Sequence, residues 1–484
     1  LLTATRRRRD ILMAQRAPGT DTSLSLNRDC GNGDISTLVL RAKQARDFFV
    51  VIGPPGTGKT SLGMLNILLE ELSEPGTSVL LLAYTNRAVD EMCSKLIDDT
   101  GQPVIDFARL GSGLSAAEAY RPYLLSERMA KAANVGEVRR MIAGIRVFAG
   151  TVASLNAAPQ LLELKRFDLA IIDEASQIPE PHLLSVLAAR HGDDDAVARW
   201  VMIGDDRQLP AVVAQPHGES AVDDPMLRAI GLTDCRLSLF ERMLKVYGDD
   251  PRVVFMLSRQ GRMHDEIADF VNHSFYGSRL ASVPLPHQTA PAPTPPAGCD
   301  GLHAMMLSRR FVFVASPDVS DGQMPAKLNL CEAEMIAAMV AATRDLEGDK
   351  WDPGRTVGVI VPYRAQIAAV RAALDRRDSA LRHVTVDTVE RYQGSQRDTI
   401  VYGTTVHDAT QLAFLTESTA PDRDGHPVDR KLNVALTRAR LHLVVVGNPA
   451  TLAQAPLYAQ LMDYARRRNA YLDVPPERFC RGDF

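Results

Sequence analysis

Asp47-Phe48-Phe49-Val50-Val51-Ile52-Gly53-Pro54-Pro55-Gly56-Thr57-Gly58-Lys59-Thr60-Ser61 is the stretch from which the architecture of this chain is read. Residues 47–52 are an apolar run of buried-strand length, and residues 61–72 carry apolar side chains at helical spacing. Between them, GPPGTGKT fits the pattern G-x-x-x-x-G-K-[ST], which needs a strand before it and a helix after it. Gly53, Gly56 and Gly58 let backbone N–H groups close around phosphates at a helix N-terminus. Pro54, Pro55, Thr57 and Ser61 complete this nucleotide-binding stretch. Lys59 is expected to reach the β- and γ-phosphates of ATP, and the Thr60 hydroxyl to ligate Mg²⁺. The plain alternative is a Gly/Pro turn, which has no need of every fixed position of the pattern.

A second run, residues 167–172 (FDLAII), ends in Asp173-Glu174-Ala175-Ser176-Gln177. Acidic residues at the C-terminal end of a parallel strand face the ligand crevice of the sheet. Asp173 is expected to hold Mg²⁺, and Glu174 to orient and deprotonate the attacking water. Taken without the upstream loop, such a pair reads as solvated loop residues.

A chain of 484 residues exceeds one core and predicts two or three domains. Hydrophobic residues make up 45% and charged residues 24%, the balance of a soluble globular protein. The net charge of −4 does not advertise nucleic acid, although a strand-binding cleft can be locally basic in a neutral protein. Six scattered cysteines without a C-x-x-C pair are expected to be reduced, buried thiols of a cytoplasmic protein. No apolar run approaches membrane-spanning length, so no membrane partner is expected. The chain begins at Leu1 and is expected to be a piece of something longer.

Strand and helix patterns alternate through both halves. Strands are expected at 47–52, 78–84, 146–150, 168–173 and 199–204, then near 310–315, 356–361, 383–386, 398–404 and 441–446. Helices are expected at 329–346, 363–375 and 455–468. The reading is α/β: an N-terminal remnant of an accessory or linker region at 1–35, one domain at 36–250 with a small helical insertion at about 112–145, and a second at 251–484. The junction is placed at YGDDP, residues 247–251. PLPHQTAPAPTPPAG, residues 284–298, is expected as a solvated loop without helix or inner strand, or else as a partner-binding segment. Arg6 to Arg9 reads as a solvated basic face or a phosphate site.

Further along, Gln208 lies in GDDRQLP (204–210), where it can sense a γ-phosphate and the attacking water. Arg262 and Arg438 lie in QGRMH and LNVALTRAR of the second half. Arginines from a facing domain stabilise charge that develops on a transferring phosphoryl group, and two of them make hydrolysis depend on domain closure. Such dependence is the physical basis of a motor.

At this point the chain resembles a known family. AYTNRAVDEM (83–92), FARLGS (107–112), AGTVASL (149–155), IIDEASQ (171–177), GDDRQLP (204–210) and SLFERM (238–243) follow the phosphate loop in order. QGRMHDEIADFVN (260–272), VIVPYRAQI (359–367), VDTVERYQGSQRD (386–398) and NVALTRAR (433–440) continue the series. These motifs are similar to those of superfamily 1 helicases, in the 5′-to-3′ branch of the nonsense-mediated-decay helicase, senataxin and the flap-processing helicase–nuclease. The resemblance implies two tandem RecA-like P-loop NTPase domains with parallel sheets. It implies a monomeric helicase or translocase that uses ATP and Mg²⁺ on single-stranded nucleic acid, DNA favoured over RNA, with an accessory or nuclease domain upstream in the full-length chain. It assigns strand contacts to Thr85, Asn86, Thr151, Pro362, Tyr363 and Thr388, where the residues' own reading is a helix cap or turn hydroxyl. It makes Gln208 the coupler of nucleotide to both domains and Arg262 and Arg438 the arginine fingers.

The chain departs from the family at three places. Gly261 stands where an aromatic residue usually stacks on adenine, and GDISTL (33–38) lacks the glutamine that reads the adenine edge. Each loss costs about 1–3 kcal/mol, so relaxed base selectivity is expected. Gln396 replaces a glutamate that contacts the ribose, and its amide can still bond a hydroxyl. Two rival readings stay open here: an ATP-gated clamp that does not unwind, and an unrelated phosphate-loop enzyme. The second has no use for AYTNRAVDEM or TVERYQGSQRD.

Overall fold

Five consecutive apolar residues, Phe48–Ile52 (β1), are wholly buried in a seven-stranded sheet, one strand in from its edge. A computed structural model describes residues 4–31, 33–318, 327–422 and 425–482. The other strands of this sheet are Val79–Ala83 (β2), Phe107–Arg109 (β3), Val147–Thr151 (β4), Phe167–Ile172 (β5), Val197–Gly204 (β6) and Val254–Met256 (β7). Their order is β3-β4-β2-β5-β6-β1-β7, with every pairing parallel. A parallel sheet is covered on both faces, which is why its strands read as unbroken apolar runs. Phe48, Val50 and Ile52 join one core with Phe148 and Trp200, while Phe49 and Val51 join another with Leu38 and Ile67.

The strands at 107–109 and 254–256 escaped the sequence reading because three residues are too few to establish a period. β7 also moves the junction. The first compact unit comprises Leu1–Asp206 and Pro210–Leu257, and the second comprises Arg207–Leu209 and Ser258–Phe484. YGDDP at 247–251 is therefore a turn inside the first unit, between helix Leu239–Tyr247 and β7. Between β3 and β4 the chain forms a 3₁₀ turn at Glu118–Tyr123 and two helices, Leu125–Met129 and Val135–Gly144.

The N-terminal segment belongs to the first unit rather than to a linker. Helix Arg6–Leu12 is capped by the Thr5 hydroxyl, and Ile11 and Leu12 are buried in its core. Within the basic run, Arg6, Arg7 and Arg9 are exposed as expected of a solvated face, but Arg8 is buried. The cysteines also need correction: all six are free thiols, yet only Cys93 is buried, and Cys235 is exposed.

In the second unit the strands are Phe311–Ala315 (β8), Val357–Ile360 (β9), Thr385–Asp387 (β10), Arg397–Gly403 (β11), Ala439–Gly447 (β12) and Tyr471–Leu472 (β13). Their order is β10-β9-β11-β12-β8-β13, again all parallel. Helices Leu330–Glu347, Arg364–Arg377 and Pro456–Arg467 lie within two residues of the expected spans. The Pro-rich stretch is not simply a solvated loop. It opens with one helical turn, Pro286–Thr289, whose proline occupies the first helical position, where no N–H is missed. Among the described residues, no helix is long and apolar enough to cross a membrane.

One buried acid gives this unit a pH dependence. Glu332 accepts hydrogen bonds from Thr405 N (2.8 Å) and Ser316 Oγ (3.0 Å) and has no exposed surface. Burial pushes its carboxyl up from 4.5 to about 7, against the pull of those two donors. The folded state thus holds a proton that the unfolded chain has released. The resulting stabilisation is complete below pH 4.5 and is lost as pH rises through about 7. Its full size is about 3 kcal/mol. Glu332→Gln, which accepts and donates at the same places, is expected to raise the melting temperature at pH 8 by several degrees and to flatten the decline between pH 5 and 8. Calorimetry at both pH values checks this; a variant less stable at pH 8 would contradict it.

Candidate nucleotide site and strand edge

In the first unit, the loop that follows β1 turns back on itself at two left-handed glycines, Gly56 and Gly58, each with φ of +75°. A Cβ at Gly53 would stand 2.8 Å from Lys59 Cβ, so only glycine lets the backbone close here. Pro54 and Pro55 are buried, and Thr57 Oγ1 donates to Pro54 O at 2.7 Å, locking the turn. Lys59–Met64 forms a wide π-type turn leading into helix Leu65–Leu72; Thr60 within it is buried and Ser61 is exposed.

The acidic pair meets this turn at the C-terminal edge of the sheet. Thr60 Oγ1 donates to Asp173 Oδ2 at 2.7 Å, and Lys59 Nζ pairs with Glu174 Oε1 at 2.7 Å. Asp173 Oδ1 accepts from Glu174 N at 2.8 Å, and Gln177 Nε2 donates to Glu174 Oε2 at 2.9 Å. Glu174 adopts a left-handed backbone (φ +51°), a strained choice for a side chain of this size. Burial raises the Asp173 carboxyl above its usual range, while Lys59 pulls it down. For Lys59, burial lowers the ammonium, but Glu174, Asp173 and Asp205 outweigh it and the net shift is upward.

These residues fit the group the sequence implies. The Thr60 hydroxyl and the Asp173 carboxylate are two hard oxygens side by side, the donors suited to a Mg²⁺ that keeps waters and phosphates as its other ligands. Among the described residues, no cluster of three His, Cys, Asp or Glu side chains could hold a metal alone.

In the second unit the two arginines converge on one residue. Arg262 Nη1 donates to Thr437 O at 3.1 Å, and Arg438 Nη2 donates to Thr437 Oγ1 at 3.0 Å. Arg438, 2% exposed, also donates from Nε to Val434 O (3.0 Å) and from Nη2 to Gln208 Oε1 (3.2 Å). Gln208 is buried here because its neighbour is held: Arg207 O accepts from Asn433 Nδ2 at 2.6 Å, and Arg207 pairs with Asp422 at 3.0 Å.

The Pro-rich turn fixes the loop that carries Arg262. Gln288, fully buried, donates from Nε2 to Gln260 O (3.0 Å) and Met263 O (3.1 Å), and His287 Nε2 lies 3.1 Å from Arg262 O. Gln288→Ala removes one donor from each of two carbonyls, which keep Val283 N and Gln260 Nε2 as partners, at about 0.5–1.5 kcal/mol each. It is expected to lower ATP turnover while Gln288→Glu restores little, since a carboxylate offers acceptors to acceptors. Turnover and melting temperature measured together check this, and wild-type kinetics in Gln288→Ala would remove the positioning role. Gly261 leaves space that Leu285 borders: a Cβ at 261 would lie 3.3 Å from Leu285 Cδ1. Gln396 is exposed on the loop before β11.

The six expected strand-contact residues lie at or just after strand ends on the same edge of each sheet. Thr85 and Thr151 cap helices Asn86–Cys93 and Val152–Ala157, accepting from Ala88 N and Ser154 N. Asn86 Oδ1 accepts from Arg109 Nη2 at 3.2 Å, and Arg109, wholly buried, is held by Asp90 at 2.9 Å. Pro362 and Tyr363 follow β9, the tyrosine ring stacked on Phe414 at 5.1 Å. Thr388 precedes helix Val389–Tyr392, its carbonyl accepting from Arg391 N and Tyr392 N while its side chain makes no cap bond. Sequence reasoning missed Gln177, Arg109, Asn433, His287 and Gln288. Gln177, Arg109 and Asn433 lie inside the motifs IIDEASQ, FARLGS and NVALTRAR, whereas His287 and Gln288 had no such signal.

A phosphate loop facing an acidic pair on one parallel sheet, followed by a second parallel sheet carrying paired arginines, defines a tandem RecA-like P-loop NTPase. Comparison with known proteins agrees. Two domain families, each described as an AAA domain, match in tandem over residues 36–234 and 235–450. The chain is 27% identical over 454 residues to the DNA replication ATP-dependent helicase/nuclease JHS1 of Arabidopsis thaliana, covering 92% of this chain and 30% of the relative. It is 27% identical to the DNA replication ATP-dependent helicase/nuclease DNA2 of Mus musculus, covering 90% of this chain and 38% of that protein. It is 25% identical to the RNA helicase Mov10l1 of Homo sapiens, covering 88% and 34%. The chain thus spans about a third of the length of these relatives. In fold and motif order, and by these matches, the chain is similar to the superfamily 1 helicases.

Proposed function

We propose that this chain hydrolyses ATP with Mg²⁺ and uses the cycle to move 5′ to 3′ along single-stranded nucleic acid, unwinding duplex ahead of it. The observation that carries the reading is the double pairing of the loop with the acidic residues, Lys59 with Glu174 and Thr60 with Asp173. Bound ATP and Mg²⁺ supply the phosphoanhydride and neutralise its charge. Thr60 and Asp173 would hold the metal, and Lys59 would leave Glu174 for the phosphates. Glu174, released from Lys59 and steered by Gln177, accepts the proton of the attacking water. Arg438 and Arg262 stabilise charge on the oxygens, Gln208 reports their state, and Gln396 bonds the ribose.

Thr85, Asn86, Thr151, Pro362, Tyr363 and Thr388 hold the strand by its backbone, which brings affinity without sequence choice. The Thr85 hydroxyl that accepts a cap bond still has its own proton to give to a phosphate. DNA is favoured over RNA because two of the relatives above are named as DNA replication enzymes, although one is named an RNA helicase. An accompanying nuclease domain, a monomeric working state and an intracellular, cytoplasmic setting belong to the same proposal.

Steady-state ATP hydrolysis tests it, measured alone and with single-stranded DNA or RNA, with Lys59→Ala as the blank. Strong stimulation by DNA supports the reading as stated, and stimulation by RNA alone supports the motor but changes its track. Hydrolysis indifferent to both polymers overturns the motor.

A further inference from the structure

At the N-terminal ends of β1, β5 and β6, on the edge of the first sheet away from the phosphate loop, lies a cavity of about 390 Å³. Four guanidinium groups line it, those of Arg7, Arg8, Arg46 and Arg166, against the carboxylates of Asp47, Asp194 and Asp195, with Trp200 beside them. Nothing in the nucleotide site or the strand edge uses these residues.

Arg8 is 3% exposed, and its guanidinium lies 4.5 Å from the centroid of the Trp200 ring. Its Nη2 donates to Val197 O and, at 3.0 Å, to Ala198 O, and its Nε donates to Asp195 Oδ2 at 3.4 Å. Burial lowers its pKa, while Asp195 pulls it back up. Yet Arg8 Nη1, Trp200 Nε1 and Asp195 Oδ1 are all buried without a hydrogen-bond partner among the described residues. Native proteins seldom leave such atoms unmatched, and three on neighbouring residues of one cavity call for an occupant. At the rim, Arg166 is exposed and only loosely held, 4.0 Å from Asp168.

We infer that this cavity binds a phosphate monoester that also carries a free hydroxyl, up to the size of a mononucleotide. Guanidinium groups grip phosphate oxygens through paired, charge-assisted hydrogen bonds. The indole N–H adds a donor, and the spare Asp195 oxygen accepts from the hydroxyl. A volume of about 390 Å³ falls among small-molecule sites. The monoester can be a free sugar phosphate or the 5′-phosphorylated end of a strand.

Trp200 and Trp351 are the only tryptophans, so two indole N–H signals in a ¹⁵N-correlated NMR spectrum report the cavity and a control in the other unit. Ribose 5-phosphate and a short oligodeoxynucleotide with a 5′-phosphate or a 5′-hydroxyl are titrated into the Lys59→Ala chain, which weakens capture by the phosphate loop. The Trp200 signal is expected to move saturably with ribose 5-phosphate at millimolar concentration while Trp351 stays still. Arg166→Ala, a change at an exposed position, is expected to weaken this binding at least about tenfold. Movement with the 5′-phosphorylated strand alone would keep the inference and name the strand end as the source. No saturable movement with either phosphate, or equal movement with the 5′-hydroxyl strand, would overturn it.

Discussion

Arg438→Ala is expected to lower strand-stimulated ATP turnover by about 10³–10⁵-fold, the range typical of an arginine that stabilises a transferring phosphoryl group. Because that charge is greatest in the transition state, kcat should fall far more than the KM for ATP rises. Arg438 also has a structural part, since its Nε and Nη2 satisfy Val434 O, Thr437 Oγ1 and Gln208 Oε1. Alanine would therefore lower stability as well, and Arg438→Lys separates the two effects. Lysine keeps a positive charge in the same volume but cannot hold three acceptors as a planar fork. Arg438→Lys is expected to melt closer to wild type than Arg438→Ala does, yet to remain strongly impaired in kcat. Turnover within tenfold of wild type in both variants would take Arg438 out of the chemistry.

The second large effect is expected at Glu174. Glu174→Gln should reduce kcat by about 10²–10⁴-fold, the usual contribution of a positioned general base, with ATP binding retained. The amide can still accept from Gln177, so the local geometry persists, but it cannot take a proton from water. It also releases Lys59 from its ion pair, and the ammonium is then freer for phosphate. Tighter ATP binding with little hydrolysis is the expected signature, read by equilibrium nucleotide titration beside single-turnover hydrolysis. Unchanged hydrolysis in Glu174→Gln would reassign the base. The left-handed backbone at Glu174 adds a reason to look here, because strain of this kind persists only where the surroundings impose it.

Much of the fold was legible because its signals are local. A phosphate loop needs a strand, two left-handed glycines and a helix within some twenty residues, and each leaves a mark on adjacent positions. Parallel strands buried on both faces appear as apolar runs, and ten of the thirteen strands of the two large sheets were expected close to where they lie. The three that were missed are two or three residues long. The same locality misled at 284–298, where proline content argued for a solvated loop and the buried Gln288 escaped notice. It misled at YGDDP as well, where a turn signal cannot say on which side of it a domain ends.

The order of motifs along the chain thus established two parallel-sheet domains, a nucleotide loop and its acidic partner, since adjacent residues suffice to write each of these. Tertiary structure alone decided which distant side chains meet. Thr60 and Asp173 are 113 residues apart, Arg262 and Thr437 are 175 apart, and Gln208 and Arg438 are 230 apart. It alone sank Arg8 beneath a run that reads as solvated, and it alone turned a Pro-rich stretch into the brace of an arginine loop. Periodicity reports what a residue's neighbours along the chain require of its backbone. The partner that satisfies a buried hydrogen bond is chosen by packing in space, and no local pattern records it.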